Sequence, residues 1–186
     1  MDTIHNLITD RWSPVSFDTR DVEFEKIHLL FDAAKWAPSA RNAQPWRFIF
    51  TTREMADYKV FLDLMTETNQ RWASAAPLLV MPLAQVISTY KNRPNRLAYY
   101  ETGMAVGNLL VQATAMGLMA HQMGGYDVER AKETLVIPTR YEPMSIIAIG
   151  YKGDKSNLPP ADVAAWEKRD RTRMEISKFL VQGRCK

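Results

Sequence analysis

Helical periodicities separated by short apolar runs predict an α+β or α/β domain. Three observations carry that expectation. Leu78-Leu-Val-Met81 follows Pro77 and is apolar at every position over the length of a strand. Trp46-Arg-Phe-Ile-Phe-Thr51 alternates with a period of two. Residues 96–116 are apolar or small nearly all round at helical length, which implies a helix buried on most faces. The 186 residues suffice for one domain over 1–186, and about 70% of the unfolded surface can be buried at this size.

The elements follow in order. Thr3 to Asp10 reads as a short amphipathic helix with Ile4, Leu7 and Ile8 on one face, stopped by Arg11-Trp-Ser-Pro14. A second helix starts at Asp21 or Glu23 and sets Phe24, Ile27, Phe31 and Ala34 at helical spacing. Pro38 closes it and opens a loop that runs to Pro45. Helical segments are expected around Arg53 to Leu64 and Asn69 to Ala75. After the long helix come a strand near Leu118 to Gln122, the Gly124-Gly125 turn, a helix from Asp127 to Leu135 and a strand from Ser145 to Tyr151.

Composition narrows the function classes. Hydrophobic residues at 46% and charged residues at 24% exclude a disordered or fibrous chain. The N-terminal residues have neither a basic nor a continuous apolar stretch, so no secretory signal is read, and a cytoplasmic location is expected. Residues 99–119 are broken by Glu101, Asn108 and Gln112 and fall short of a membrane span. One cysteine, Cys185, excludes an internal disulfide. The net charge of +3 divides unevenly: residues 168–186 carry +5 and the rest −2. Confined to one end and without interleaved aromatics, that excess argues against nucleic acid as a partner.

No HExxH, CxxC, GxSxG, GxGxxG or Walker sequence is present, and His5, His28 and His121 lie far apart. No catalytic side chain and no metal site is therefore expected. An enzyme of this kind would depend on a bound cofactor. Three segments could hold one. Arg11-Trp12-Ser13 offers a guanidinium and a hydroxyl for a phosphate, or is a surface Arg in a Ser-Pro turn. Ala37-Pro-Ser-Ala-Arg-Asn-Ala-Gln-Pro-Trp46 presents Ser39, Asn42 and Gln44, whose donors and acceptors suit a flavin's polar edge or the loop's own backbone. Arg171-Thr-Arg173 could clamp a phosphate or be a solvated charge run.

In this order the segments resemble the nitroreductase family of FMN-dependent oxidoreductases. The most specific match is the Ala-Pro-Ser-x-x-Asn-x-Gln-Pro-Trp block, with the Arg-x-Ser opening, the glycine turn and the Arg-x-Arg tail in family sequence. The resemblance implies an α+β sandwich, a central mostly antiparallel sheet flanked by helices, in an intertwined homodimer with FMN at the subunit interface. It places Arg11, Trp12 and Ser13 at the phosphate and ribityl chain. Arg171 and Arg173, in a basic segment 166–186, complete the phosphate site or the dimer. Pro38, Ser39, Ala40 and Asn42 come from the partner subunit, supported by Gln44. Asn69 falls at the ring's polar edge, and Gly124 and Gly125 bring backbone N–H groups near N5. NAD(P)H is the implied electron donor in a ping-pong reaction on nitroaromatic, quinone or enone acceptors. A flavin-remodelling, flavin-storing or dehalogenating member is the alternative. Arg41, Trp72, Tyr99 and Tyr100 are candidates to line the acceptor pocket, with core packing the competing reading for the tyrosines. Two positions depart from the family: Val15 stands where members carry a cation, leaving Arg71 or Arg41 to compensate, and Gly124 where some have an acid.

Overall fold

The computed structural model describes residues 3–154, 159 and 161–184. Cys185 and Lys186, the single thiol and the last charge of the basic tail, lie outside the described residues. In chain order the elements are α1 (Asn6–Thr9), α2 (Phe24–Ala34), β1 (Trp46–Thr52), α3 (Tyr58–Leu64), α4 (Glu67–Ala73), β2 (Leu78–Gln85), α5 (Ala98–Ala115), β3 (Leu118–Met123), α6 (Val128–Thr134), β4 (Tyr141–Pro143), β5 (Ile146–Tyr151) and α7 (Ala161–Ala164). Single 3-10 turns lie at Ala40–Asn42, Ala165–Lys168 and Ile176–Lys178.

The strands form one sheet in the order β1-β2-β5-β3, with β4 paired to the far end of β2. Each of these pairings is antiparallel. β2 and β5 are central and covered on both faces, which is why neither alternates in polarity. Their side chains still divide by the two-residue period. Leu79, Met81, Leu83, Ile146 and Ala148 join the layer beneath α3, α4 and α6, together with Tyr58, Phe61, Leu64 and Trp72. Leu78, Val80, Ile147 and Ile149 face α2 and α5, against Ile27, Leu30, Ala105 and Leu109. Pro82 sits inside β2 without harm. It falls between the residues that pair with β5, Leu78 to Val80, and those that pair with β4, Leu83 to Gln85.

Several sequence expectations shift. α3 begins at Tyr58, because the chain from Thr52 turns first, with Met55 N–H donating to Thr52. α4 begins at Glu67, after the extended Thr66. In α2, Phe24 is exposed and edges His28 at 4.4 Å, while Leu30 takes the buried place. β4 was not foreseen: it is three residues long and ends at Pro143, too short for a repeating pattern to show. The long helix α5 is buried over about half of its circumference, through Ala98, Glu101, Thr102, Ala105, Val106, Leu109, Leu110 and Ala113. Its opposite side, with Tyr99, Tyr100 and Gly103, is exposed. No helix among the described residues is long and apolar enough to cross a membrane.

The chain's start is stitched to the end of the sheet. Phe17 bridges Lys152, Asp18 N–H donates to Tyr151, and Gly153 N–H donates to Ser16. Phe17 enters the core only because β5 has no side chain at Gly150. A Cβ there would lie 2.6 Å from Pro77 Cδ and 3.1 Å from Phe17 Cδ1. Gly150→Ala is expected to destabilise the fold by about 1–3 kcal/mol, since a proline ring cannot swing aside. Chemical denaturation measures this; a midpoint equal to wild type would contradict it.

Candidate functional site

Arg11-Trp-Ser13 leaves α1 at Pro14 and crosses the outer end of the sheet beside β3. Arg11 Nη1 donates to Ser13 Oγ at 2.9 Å. His121, whose side chain shares a face of β3 with Met119 and Met123, places Nδ1 2.7 Å from the Pro14 carbonyl. A carbonyl only accepts, so the proton sits on Nδ1. The imidazole lies against Trp72, ring centres 4.4 Å apart. Burial lowers the pKa of His121 below 6.5; the Pro14 hydrogen bond and nearby Glu167 oppose this, and Arg11 adds to it.

The C-terminal segment returns to this crossing. Glu167 Oε1 accepts from the backbone N–H groups of Val15 at 3.2 Å and Ser16 at 3.1 Å, and Oε2 from Trp12 Nε1 at 3.2 Å. Arg171 Nη2 donates to the carbonyls of Thr9 at 2.5 Å and Arg11 at 2.7 Å, with its guanidinium 5.1 Å from the Trp12 ring centre. Arg173 donates to the neighbouring Thr172 carbonyl. The pKa of Arg11 is lowered, first by burial and then by repulsion from Arg171 and Arg173. Three guanidinium groups thus gather, and none is ion-paired among the described residues. Such a cluster is chemically suited to an anion. Beside it lies a cleft of about 680 Å³ of mixed charge, lined by Lys152, Arg169 and Arg171 and by Asp10, Asp154 and Glu167.

A second group forms where α4 meets the glycine turn. The Gly125 carbonyl accepts from Asn69 Nδ2 and from the Thr66 N–H, both at 3.0 Å. A Cβ on Gly125 would lie 2.9 Å from Asn69 Nδ2 and 3.1 Å from Thr66 Oγ1, so any larger residue would push that amide out of place. Gly124 is open. The two groups are joined through the core: α4 carries both Asn69 and Trp72, Trp72 stacks on His121, and His121 holds Pro14.

The Ala37–Trp46 block stands apart. Ser39 Oγ accepts from Gln44 N–H, and Gln44 Nε2 donates to the Asn42 carbonyl. Arg41, Asn42 and Gln44 all have positive φ, at 55°, 55° and 46°. Such backbone costs about 1 kcal/mol or more per non-glycine residue and needs an anchor. Glu101 of α5 is that anchor; only 3% exposed, it accepts from the Ala40 N–H at 2.7 Å. Pro38, Ala40, Arg41 and Asn42 remain exposed, and no side-chain bond is made by Arg41 or Asn42 among the described residues. No hydrogen bond or ion pair among the described residues joins this block to either group above.

The structure therefore brings Arg11, Trp12, Ser13, Arg171 and Arg173 together, and Asn69 with Gly124 and Gly125. It corrects one pocket candidate, Trp72, and the core-packing reading of the two tyrosines. Trp72 is 1% exposed and packs between Phe17 and His121 in the core, so it lines no open pocket. Tyr99 and Tyr100 are exposed, so core packing does not account for them. Val15 points into the core with 2% exposure. Sequence reasoning missed Glu101 and Glu167, whose partners lie far away in sequence, and set His121 aside because nothing local marks it.

The sequence profile of the nitroreductase family matches residues 8–69 and 57–151. The chain belongs to this family. A protein of Archaeoglobus fulgidus, provisionally named an NADH dehydrogenase/NAD(P)H nitroreductase, is 29% identical over 170 residues, which span 87% of this chain and 92% of that one. The crystal structure of an oxidoreductase containing FMN superposes with a TM-score of 0.91 at 35% identity, covering 98% of this chain and 93% of the other. A nitroreductase family protein of Streptococcus pneumoniae shares the fold, with a TM-score of 0.74 at 19% identity, covering 96% and 98%. The antiparallel sheet with helices on both faces is the nitroreductase fold.

Because the folded pKa of His121 lies below its unfolded value, the folded state takes up its proton less readily. Stability tied to this group is present above about pH 6.5 and is lost as pH falls below it. His121→Gln should flatten the pH dependence of the thermal midpoint between about pH 7 and pH 5. An unaltered slope would show that another group titrates there.

Proposed function

We propose that the chain is an FMN-dependent NAD(P)H oxidoreductase, acting as a homodimer on small nitroaromatic, quinone or enone acceptors. The observation that carries this reading is the convergence of Arg11, Arg171 and Arg173, unpaired by any described carboxylate, on the segment holding Ser13. That donor set fits a phosphate monoester, and the likeness to an oxidoreductase containing FMN supports the choice of anion. Bound FMN would supply a ring that takes hydride from NAD(P)H at N5 and passes electrons to the acceptor.

The chain's residues would bind and orient it. Arg11, Ser13 and Arg173 would hold the phosphate, with Trp12 beside the ribityl chain. Arg171 already has one nitrogen on the carbonyls of Thr9 and Arg11, so it would brace the segment and offer its remaining N–H groups. Asn69 donates to Gly125 and keeps its carbonyl oxygen for the ring's N–H edge, while open Gly124 admits close approach near N5. With Val15 turned into the core, this segment places no cation beside the ring, and a more negative flavin potential is expected.

Pro38, Ser39, Ala40 and Asn42 would reach the cofactor of a second subunit, with Gln44 holding their loop in shape. Two features support that assembly. Thr102 Oγ1 is buried without a hydrogen-bond partner among the described residues, beside the open Gly103–Gly107 stripe of α5, in a groove also lined by Leu110 and Met144. Met174, Ile176, Phe179, Leu180 and Val181 of the C-terminal segment are more than half exposed, an apolar surface that a partner would cover. The basic segment 166–186 would thus serve both phosphate site and dimer.

The test is reconstitution. Purified protein mixed with FMN should acquire a visible flavin band, oxidise NAD(P)H steadily with a quinone or nitro acceptor, and return the flavin intact. Arg11→Ala should weaken FMN binding about tenfold or more and riboflavin, which lacks the phosphate, little. Protein that takes up no flavin defeats the reading; consumption of the flavin itself would favour the remodelling alternative.

A further inference from the structure

From Thr68 onward the chain changes character: no Asp or Glu occurs between Glu67 and Glu101, while Arg71, Lys91, Arg93 and Arg96 fall in the same stretch. Lys91 and Arg93 sit on a narrow hairpin, residues 86–95, and Arg96 follows directly after it. Ile87 bridges Pro94, Ser88 N–H donates to the Arg93 carbonyl at 2.8 Å, and Asn95 N–H donates to the Val86 carbonyl at 2.7 Å. Lys91 and Asn92, at φ of 58° and 47°, turn the tip. Two consecutive left-handed residues are the backbone that a tight hairpin needs, and Asn accepts it readily. The base is tied to the residue that precedes β4, since Val86 and Ile87 both donate to the Arg140 carbonyl.

Between this hairpin and the Ala40–Pro45 loop lies a cavity of about 500 Å³, with Arg41 and Pro45 on one wall and Ser88, Tyr90 and Asn95 on the other. Glu101 lines its floor, one oxygen already taken by Ala40. Arg41, Lys91, Arg93 and Arg96 are exposed, and none forms an ion pair among the described residues. Lys91 lies 5.2 Å from the Tyr90 ring centre. Arg41 lines the cavity itself, and Lys91, Arg93 and Arg96 lie on or beside the hairpin that forms its other wall, so this region carries four cations against the single, partly engaged carboxylate of Glu101. An exposed aromatic within it adds a stacking surface. Several anionic oxygens next to a flat ring system match both features, and the volume is that of a small-molecule site.

The geometry points to this cavity as the docking site for the diphosphate and adenosine portion of the nicotinamide dinucleotide, with Lys91 and Arg93 on the phosphates and Tyr90 beside the adenine. The assignment rests on the reading above, in which the adjoining Ala37–Trp46 block borders the flavin. It explains how a chain without a Rossmann fingerprint can hold a dinucleotide through side-chain charge, and it leaves the nicotinamide end free to reach the ring.

The test is calorimetric titration of FMN-saturated protein with NADP⁺. Lys91→Ala with Arg93→Ala should raise the dissociation constant about tenfold. Lys35→Ala with Lys59→Ala, an equal charge change elsewhere on the surface, should leave it unaltered. Lys91→Arg with Arg93→Lys should restore most of the affinity. Flavin reduction by a neutral N-benzyl dihydronicotinamide, which has no diphosphate, should proceed equally in every variant. The proposal is overturned if NADP⁺ binds the hairpin variant as it binds wild type, or if both alanine pairs weaken it equally. Binding of a single-stranded oligonucleotide that the hairpin variant loses, with NADP⁺ affinity unchanged, would also overturn it. A wild-type protein that takes up no FMN would defeat the parent reading, and NADP⁺ titration of that same protein would still report on the hairpin.

Discussion

Trp12 Nε1 and the backbone N–H groups of Val15 and Ser16 converge on the Glu167 carboxylate, across more than 150 residues of chain. The segment that makes these contacts belongs to no helix and pairs with the sheet only at Phe17. Its polar groups must therefore find partners outside secondary structure. A carboxylate is suited to this because it accepts several hydrogen bonds at once, each stronger than a neutral one. Removing it would leave three donors without their partner, at a cost of about 1–3 kcal/mol each for those that water cannot reach.

The candidate site inherits its shape from that contact. Glu167 holds the N–H side of the crossing, Arg171 holds the carbonyls of Thr9 and Arg11, and His121 holds the carbonyl of Pro14. Arg11 and Ser13 lie part-buried between these ties, and burial first, then two nearby guanidinium groups, lower the Arg11 pKa. Like charges gathered this way oppose one another, and an anion relieves the repulsion. Of these ties, His121 also reaches the second group through Trp72, which shares α4 with Asn69.

What the sequence revealed and what it hid divide along the reach of each interaction. β2 and β5 were legible because a strand buried on both faces must be apolar throughout, and α2 because one face repeats at helical spacing. Arg11, Ser13 and the Ala37–Trp46 block stood out as donors with no evident local use. Within the block, Ser39 and Gln44 serve its own backbone, while the Arg41 and Asn42 side chains are exposed and make no hydrogen bond among the described residues. Glu101 and Glu167 were unreadable, since a helix glutamate looks the same whether it faces water or anchors a distant loop. Trp72 misled for a related reason: an aromatic near a polar cluster suits a pocket wall or a core, and only its contacts with Phe17 and His121 decide. α5 reads as buried on most faces, and its own chain covers about half of its circumference, leaving Tyr99, Tyr100 and Gly103 exposed.

The central claim is that Glu167 fixes the Trp12–Ser16 crossing, and amide hydrogen exchange followed by NMR tests it without reference to any ligand. In wild type, the Val15 and Ser16 amides should exchange slowly. In Glu167→Ala they should exchange at least about tenfold faster, while the amides of β2 and β5 keep their protection. Unchanged protection of Val15 and Ser16 in that variant would contradict the account.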